Sequence, residues 1–233
     1  MLKRYIINDE PLDVNISIKR SNKNIYLRVR NNKIYMSMPY LVDEKIIMSM
    51  LQRNYLKLKE AIKQSKQIHY LGRLYDYQII KSSYDKVLFL DKIIIYTKND
   101  DLAYVGMLLR NAYIDEAYKY IKPIIDKALI DFKDDIKAPL TFNYKYMTSA
   151  FGNCYPKKGR ITFSGICAKL EPKLIELVVY HELTHLRYLS HNKDFYNYLE
   201  SKLNDAILLS KILRKEKVSD FFDWFIIYCW FFS

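Results

Sequence analysis

The chain has few of the residues that stabilise small secreted domains. Its 233 residues include three cysteines, Cys154, Cys167 and Cys229, with no C-x-x-C spacing. An odd count without paired spacing argues against a disulfide framework and against a cysteine-based zinc site, and it favours a reducing compartment. The N-terminal residues MLKRYIINDEPLDV also lack the apolar segment of a signal peptide. We therefore expect a cytoplasmic protein.

Long apolar runs are missing as well. The most apolar segment, 221–232 (FFDWFIIYCWFF), has twelve residues and contains an aspartate, whereas a helix needs ~20 apolar residues to span a bilayer. We expect no transmembrane span. The segment is interpreted as part of a C-terminal tail, 217–233, that packs on the body of the protein or forms a surface patch for a partner or a membrane.

The composition predicts a folded, basic protein. Half of the residues are hydrophobic, 22 are tyrosine, and the net charge is +12. Such a charge suits nucleic acid, anionic lipid or a phosphorylated substrate. The lysines, however, are spread through the chain and form no compact basic block with interleaved aromatic residues. We expect a peptide or a small anionic substrate, keep nucleic acid as the weaker alternative, and leave the oligomeric state open.

The hydrophobic periodicity predicts an α+β fold. Strands are predicted at 14–20, 24–30, 33–38, 72–80, 86–90, 92–97 and 140–146, and helices at 43–66, 101–134, 172–189 and 195–213. Pro123 should kink or break the second helix. A hairpin is expected to turn at 156–159. This pattern predicts a β-rich region with one helix at 1–98, a helical catalytic core with a hairpin at 99–216, and the tail.

The most informative pattern is the run HELTHLRYLSH, which holds three of the four histidines. His181 and His185 are four residues apart, so on a helix both imidazoles lie on one face and can reach a single ion. Glu182 points to the flank of that ion, where it can take a proton from water. The remaining histidine, His69, lies in an apolar strand context and is interpreted as structural.

His191 follows His181 by ten positions, the spacing of long zincin signatures. Three protein ligands with one open position are typical of catalytic rather than structural zinc. Such signatures often carry glycine where this chain has Tyr188, so the turn must form differently. The Ser190-His191-Asn192 segment is the predicted helix break, with Asp194 as a capping-box acid. His191 is then expected at the start of the next helix, facing the ion.

These residues resemble the YgjP-like metallopeptidase-domain family, a group related to the SprT and WLM zincins. The family pattern is a hairpin similar to W-G-S-C-x-x-x-G-x-I-x-x-N, a link with proline, H-E-L-x-H, and an ending N-H-x-x-x-F-W. The matching segments here are Phe151 to Cys154, Gly159 to Ile161, Pro172, His181 to His185, and His191 to Tyr196. The hairpin departs from the pattern at Phe151, Asn153 and Ser164. The resemblance implies a zincin-like core with an active-site helix.

The sequence therefore predicts a zinc-dependent hydrolase, and a metallopeptidase in particular. His181, His185 and His191 are the predicted Zn²⁺ ligands, and Glu182 is the predicted general base. Arg187, Tyr188 or a backbone N–H of the hairpin could stabilise the oxyanion. One alternative is a metal-dependent hydrolase of nucleoside triphosphate phosphoanhydride bonds, although the chain lacks a glycine-rich phosphate loop. Another is a non-catalytic zinc-containing binding module, for which Glu182 would serve no purpose.

Overall fold

The structure is a computed structural model that describes residues 1–30, 33–64, 67–216 and the backbone of 224–229. The chain forms two compact units that divide between Ile68 and His69. The domain limits predicted at residues 98 and 216 stay predictions, and most of the tail 217–233 lies outside the described residues. Strands dominate the first hundred residues and helices the remainder, which confirms the predicted α+β class.

The first unit is a mixed five-stranded sheet with two helices. Its strands are β1 (Leu2–Ile7), β2 (Glu10–Ile18), β3 (Ile25–Arg30), β4 (Lys33–Met38) and the C-terminal β12 (Trp224–Cys229), in the order β1-β2-β4-β3-β12. Alternate residues of the strands are buried, among them Val14, Leu27 and Met36. Helices α1 (Glu44–Arg53) and α2 (Tyr55–Gln64) complete this core through Leu51 and Leu58.

A four-stranded sheet and one long helix come next along the chain, and the division between the units falls within the first strand of this sheet. The strands are β5 (Gln67–Tyr70), β6 (Arg73–Lys81), β7 (Lys86–Phe89) and β8 (Ile93–Thr97), in the order β5-β6-β8-β7. Helix α3 (Leu102–Asp131) then runs without interruption through Pro123. The predicted break at Pro123 is wrong because buried residues along the whole helix, from Val105 to Ala128, hold it by packing, while the alternative of a kink stays a prediction.

The remainder of the second unit carries the residues that the sequence singled out. A three-stranded sheet is formed by β9 (Thr141–Lys145), β10 (Gly152–Tyr155) and β11 (Arg160–Ser164), in the order β10-β11-β9. Strands β10 and β11 form the predicted hairpin, and Gly159 turns it with a φ of 54°. Three helices follow: α4 (Pro172–Thr184), α5 (Lys193–Lys202) and α6 (Ala206–Leu213).

Among the helices that the structure describes, none combines the length with the apolar character that crossing a membrane requires.

Candidate metal centre

Helix α4 of the second unit carries His181 and Glu182. Pro172 occupies its first turn, where a missing N–H costs nothing, and Glu171 precedes it in an extended conformation. The helix is apolar on several sides because it is packed between neighbours, and Leu177 and Val178 are buried. The helix ends at Thr184, whereas the sequence predicted an end at residue 189. His181 and Glu182 therefore lie in its last turn.

Three imidazoles converge at the end of α4. The ligand atoms of His181, His185 and His191 all lie within 4.8 Å of one another. The ring centroids are 5.0 Å apart for His181 and His185, and 4.8 Å apart for each of the other two pairs. The structure thus brings together the three histidines predicted as ligands, whereas His69 lies in β5. Among the described residues, no carboxylate belongs to this cluster.

A tight turn after α4 orients His185. This residue caps the helix in a helical conformation, and the N–H groups of Arg187 and Tyr188 return to the Thr184 carbonyl. The His185 Nδ1 lies 2.9 Å from the Tyr188 carbonyl oxygen. Since a carbonyl can only accept, Nδ1–H is the donor and the lone pair is left on Nε2. This is the tautomer that a ligand to a cation requires.

Helix α5 brings His191 to the cluster. Asn192 caps the helix, and its side-chain oxygen accepts the Phe195 N–H at 2.9 Å. Phe195 is fully buried, and its ring centroid lies 4.8 to 4.9 Å from those of all three histidines. His191 is therefore fixed from two sides, by the cap that follows it and by an aromatic ring shared with its partners.

The three histidines fit a divalent cation. The Nε2 atoms of His181 and His191 are 2.8 Å apart, compared with about 3.3 Å expected for two imidazoles on one tetrahedral zinc. Burial, followed by the neighbouring imidazoles His185 and His191 and by Arg214, lowers the pKa of His181 to about 3. Burial is also the main cause of a lowered pKa at His185. Both rings are thus neutral at pH 7, as metal ligands must be.

Glu182 is buried beside the cluster. It is 6% exposed, and burial raises the pKa of its carboxyl to about 8. The carboxylate lies directly against Gly152 of β10. A Cβ atom at this glycine would stand 2.6 Å from Oε1 and 2.7 Å from Cγ of Glu182. Any larger residue at 152 would force the carboxylate to move.

Two cysteines, Cys154 in β10 and Cys167 after β11, lie near enough to this carboxylate to feel its charge. Burial, together with the charge of Glu182, raises the pKa of the Cys154 thiol to about 12 and also raises that of Cys167.

The Ser164 hydroxyl accepts the Met147 N–H and donates to the Met147 carbonyl, both at 2.9 Å. Ser164, one of the departures from the family pattern, therefore ties the chain before β10 to the end of β11.

The two side chains considered for oxyanion stabilisation have structural contacts. Arg187 lies 3.5 Å from the Asp135 carboxylate, and its guanidinium stacks on the Tyr198 ring at 4.9 Å. The Tyr188 ring lies 5.5 Å from the Tyr198 ring, measured between centroids. Sequence reasoning did not identify the contact of Gly152 with Glu182, since no local pattern reports a contact between residues thirty positions apart.

Comparisons with known proteins identify the family of this chain. No curated protein is similar enough in sequence to count as a relative. Among solved structures, the chain is similar to the crystal structure of the metallopeptidase zymogen of Pyrococcus abyssi abylysin, with 20% identity and a TM-score of 0.35 over 41% of this chain and 93% of that one. The family model of the YgjP-like metallopeptidase domain matches residues 23–216. The chain belongs to the YgjP-like family.

Proposed function

We propose that this protein is a zinc-dependent hydrolase and acts as a metallopeptidase. The observation that carries the proposal is the convergence of three imidazoles at the end of α4, where the buried carboxylate of Glu182 directly follows His181. His181, His185 and His191 would hold the ion, which leaves one coordination position open in a tetrahedral site. Membership of a metallopeptidase-domain family supports the same chemistry.

Each proposed ligand has a neighbouring group that orients its imidazole ring. The Tyr188 carbonyl sets the His185 tautomer, and Phe195 packs on all three rings. Zinc, when bound, supplies Lewis acidity that brings the pKa of water toward ~7. Imidazole nitrogens are ligands that zinc accepts readily, whereas Mg²⁺ and Ca²⁺ prefer oxygen. The donor set therefore favours zinc over Mg²⁺ and Ca²⁺.

Glu182 is proposed as the proton carrier. Its carboxylate oxygens would accept the proton of the attacking water and deliver it to the leaving group. Burial favours the protonated form, while a nearby cation favours the ionised form, so the two effects oppose each other around neutral pH. Gly152 allows the carboxylate to occupy this position, because a Cβ atom at residue 152 would overlap with it.

The proposed substrate is a peptide that lies along β10. This strand is at one edge of its sheet, with β11 as its partner in the part of the chain that the structure describes. It also packs against α4, which carries His181 and Glu182. An extended peptide could add to this edge through backbone hydrogen bonds, which would place a peptide group near the histidines.

We also propose a reducing environment for this protein. Cys154 and Cys167 are both free thiols in the structure, although both lie in the same unit. Free thiols persist where glutathione and thioredoxin keep them reduced, as in the cytoplasm.

The test is hydrolysis by the zinc-loaded full chain and by Glu182→Gln. Glutamine keeps the shape of the side chain but cannot carry the proton. We expect wild-type protein to cleave members of a peptide library, and the variant to retain zinc while losing activity by about a hundredfold or more. A nucleotide library screened in parallel covers the phosphoanhydride alternative. Wild-type rates in Glu182→Gln would refute the assigned role, and zinc loss would make Glu182 a ligand.

A further inference from the structure

Arg214 lies beside the metal centre at the end of α6. Its Nη2 donates to the Tyr196 hydroxyl at 2.6 Å, and its guanidinium carbon stands 5.7 Å from the centroid of the Tyr196 ring. The Tyr196 ring is in turn 6.3 Å from the His191 ring, tilted by 31°. One aromatic ring thus separates an exposed cation from a histidine of the cluster.

The donors of this pair are largely unused. A guanidinium has five N–H groups, and a phenol that accepts one hydrogen bond can still donate its own. Within the described ranges, Arg214 has no carboxylate at ion-pair distance, and the Tyr196 hydroxyl has no acceptor. Several other surface cations do have acidic partners, such as Lys122 with Asp126. The Arg214–Tyr196 pair therefore presents several N–H and O–H donors next to the metal centre.

The charge of Arg214 bears on a metal ion at the centre. The guanidinium is one aromatic ring away from His191, so it would repel a divalent cation held by the three histidines, and a bound anion would offset that repulsion. Arg214 also caps the C-terminal end of α6, where the helix dipole favours a cation. That dipole explains a positive charge, but it does not require a hydrogen bond to Tyr196.

We infer that Arg214 and Tyr196 form an anion subsite that binds an oxyanion group of the substrate, a carboxylate or a phosphate, next to the bond that is cleaved. The inference rests on the proposed function, since it places the subsite beside the hydrolytic centre. A planar guanidinium matches the oxygens of either group with two parallel N–H donors. In a peptide the group would be the C-terminal carboxylate or an acidic side chain. In a phosphorylated substrate it would be a phosphate oxygen.

The subsite is tested by binding rather than by activity. The full chain, with and without zinc, is titrated with inorganic phosphate, with N-acetyl-trialanine bearing a free carboxylate, and with the C-terminal amide of the same peptide. The variants are Arg214→Ala, Arg214→Lys and Tyr196→Phe. Lys211→Ala is the matched control, because it removes an exposed positive charge from the same helix.

We expect Arg214→Ala to weaken the binding of at least one anionic probe by about tenfold or more, the usual size for a hydrogen-bonded charge. Tyr196→Phe and Arg214→Lys should weaken it less, while Lys211→Ala and binding of the amide should stay within about twofold of wild type. Weaker binding of the peptide carboxylate alone would identify a peptide anion, and weaker binding of phosphate alone a phosphorylated substrate.

The inference is overturned if wild-type protein binds none of the anionic probes, or if Arg214→Ala and Lys211→Ala bind them equally. It is also overturned if Arg214→Ala weakens the amide as much as the carboxylate, since that would indicate a structural role. The titrations without zinc separate this inference from the proposed function. A chain that bound no zinc would refute the metal centre and leave the result at Arg214 standing.

Discussion

At the scale of single residues, the contact between Gly152 and Glu182 should control catalysis. Gly152→Ala would place a Cβ atom 2.6 Å from Oε1 of Glu182, so the carboxylate must move. Displacing a general base removes part of a contribution that is usually about a hundredfold or more. We expect at least a tenfold lower kcat with an unchanged zinc content, measured by steady-state kinetics on a cleaved peptide together with metal analysis.

Asn153→Ala is the control for this change, because it alters the next position of the same strand, where the side chain is exposed. Equal kcat values in the two variants would show that the position of Glu182 does not depend on Gly152.

The residues of the centre divide into those that a local pattern can predict and those that it cannot. His181, Glu182 and His185 follow from helical spacing, and His191 from its distance along the chain. Gly152 contacts Glu182 from β10, and Arg214, at the end of α6, is separated from the histidines by the Tyr196 ring. Such contacts depend on how elements pack, and one sequence without tertiary information contains no periodicity that reports them.

At the scale of elements, the N-cap of α5 should link helix stability to metal binding. Asn192→Ala removes the acceptor of the Phe195 N–H and should lower the free energy of unfolding by about 1 kcal/mol. His191 directly precedes the cap, so its ring should lose orientation and the affinity for zinc should fall several-fold. Urea unfolding of the metal-free chain and a competitive zinc titration measure the two effects.

Asp101→Ala provides the comparison for the cap. Asp101 accepts the N–H groups of Ala103 and Tyr104 at the start of α3, so its loss has a similar cost in stability. That variant should keep the wild-type zinc affinity. If both variants lower zinc affinity equally, the effect of Asn192 is one of general stability.

Element types were easier to predict than their ends. The β-rich first part and the hairpin agree with the sequence pattern, whereas α4 includes His181 and Glu182 but ends one residue before His185. The predicted helix at 195–213 is divided into α5 and α6, and Asp205 between them has a φ of 63°. The predicted helix at 172–189 ends at Thr184, because the turn that follows is closed by bonds to the Thr184 carbonyl and by His185. Capping contacts of this kind decide where helices end.

At the scale of the whole molecule, buried tyrosines should make stability fall in alkali. Burial is the main cause that raises the pKa of Tyr5, Tyr144 and Tyr198 to about 12 each, from an ordinary value of 10. The folded chain therefore holds protons that the unfolded chain releases. The stabilisation is fully present below pH 10 and is lost as the pH rises from 10 toward 12.

Tyr144→Phe tests this account. The Tyr144 hydroxyl is buried and has no hydrogen-bond partner among the described residues, so its removal should leave stability at pH 7 unchanged or raised. The variant should also lose less stability than wild type between pH 10 and 12, as measured by urea unfolding at each pH.

Tyr180→Phe is the contrasting variant. Its hydroxyl donates to Asp131 at 2.6 Å, and its loss should cost about 1–2 kcal/mol at pH 7. Lower stability of Tyr144→Phe at pH 7 would contradict the assignment.

The central claim is that three histidines hold one zinc ion, and anomalous diffraction at the zinc edge tests it most directly. Crystals of the zinc-loaded full chain should show one strong peak per chain, bonded by imidazole nitrogens of His181, His185 and His191 at about 2.0–2.1 Å. The Glu182 carboxylate should stay off the metal. A peak elsewhere in the chain, or a site in which His191 faces solvent and a carboxylate takes its place, would contradict the account.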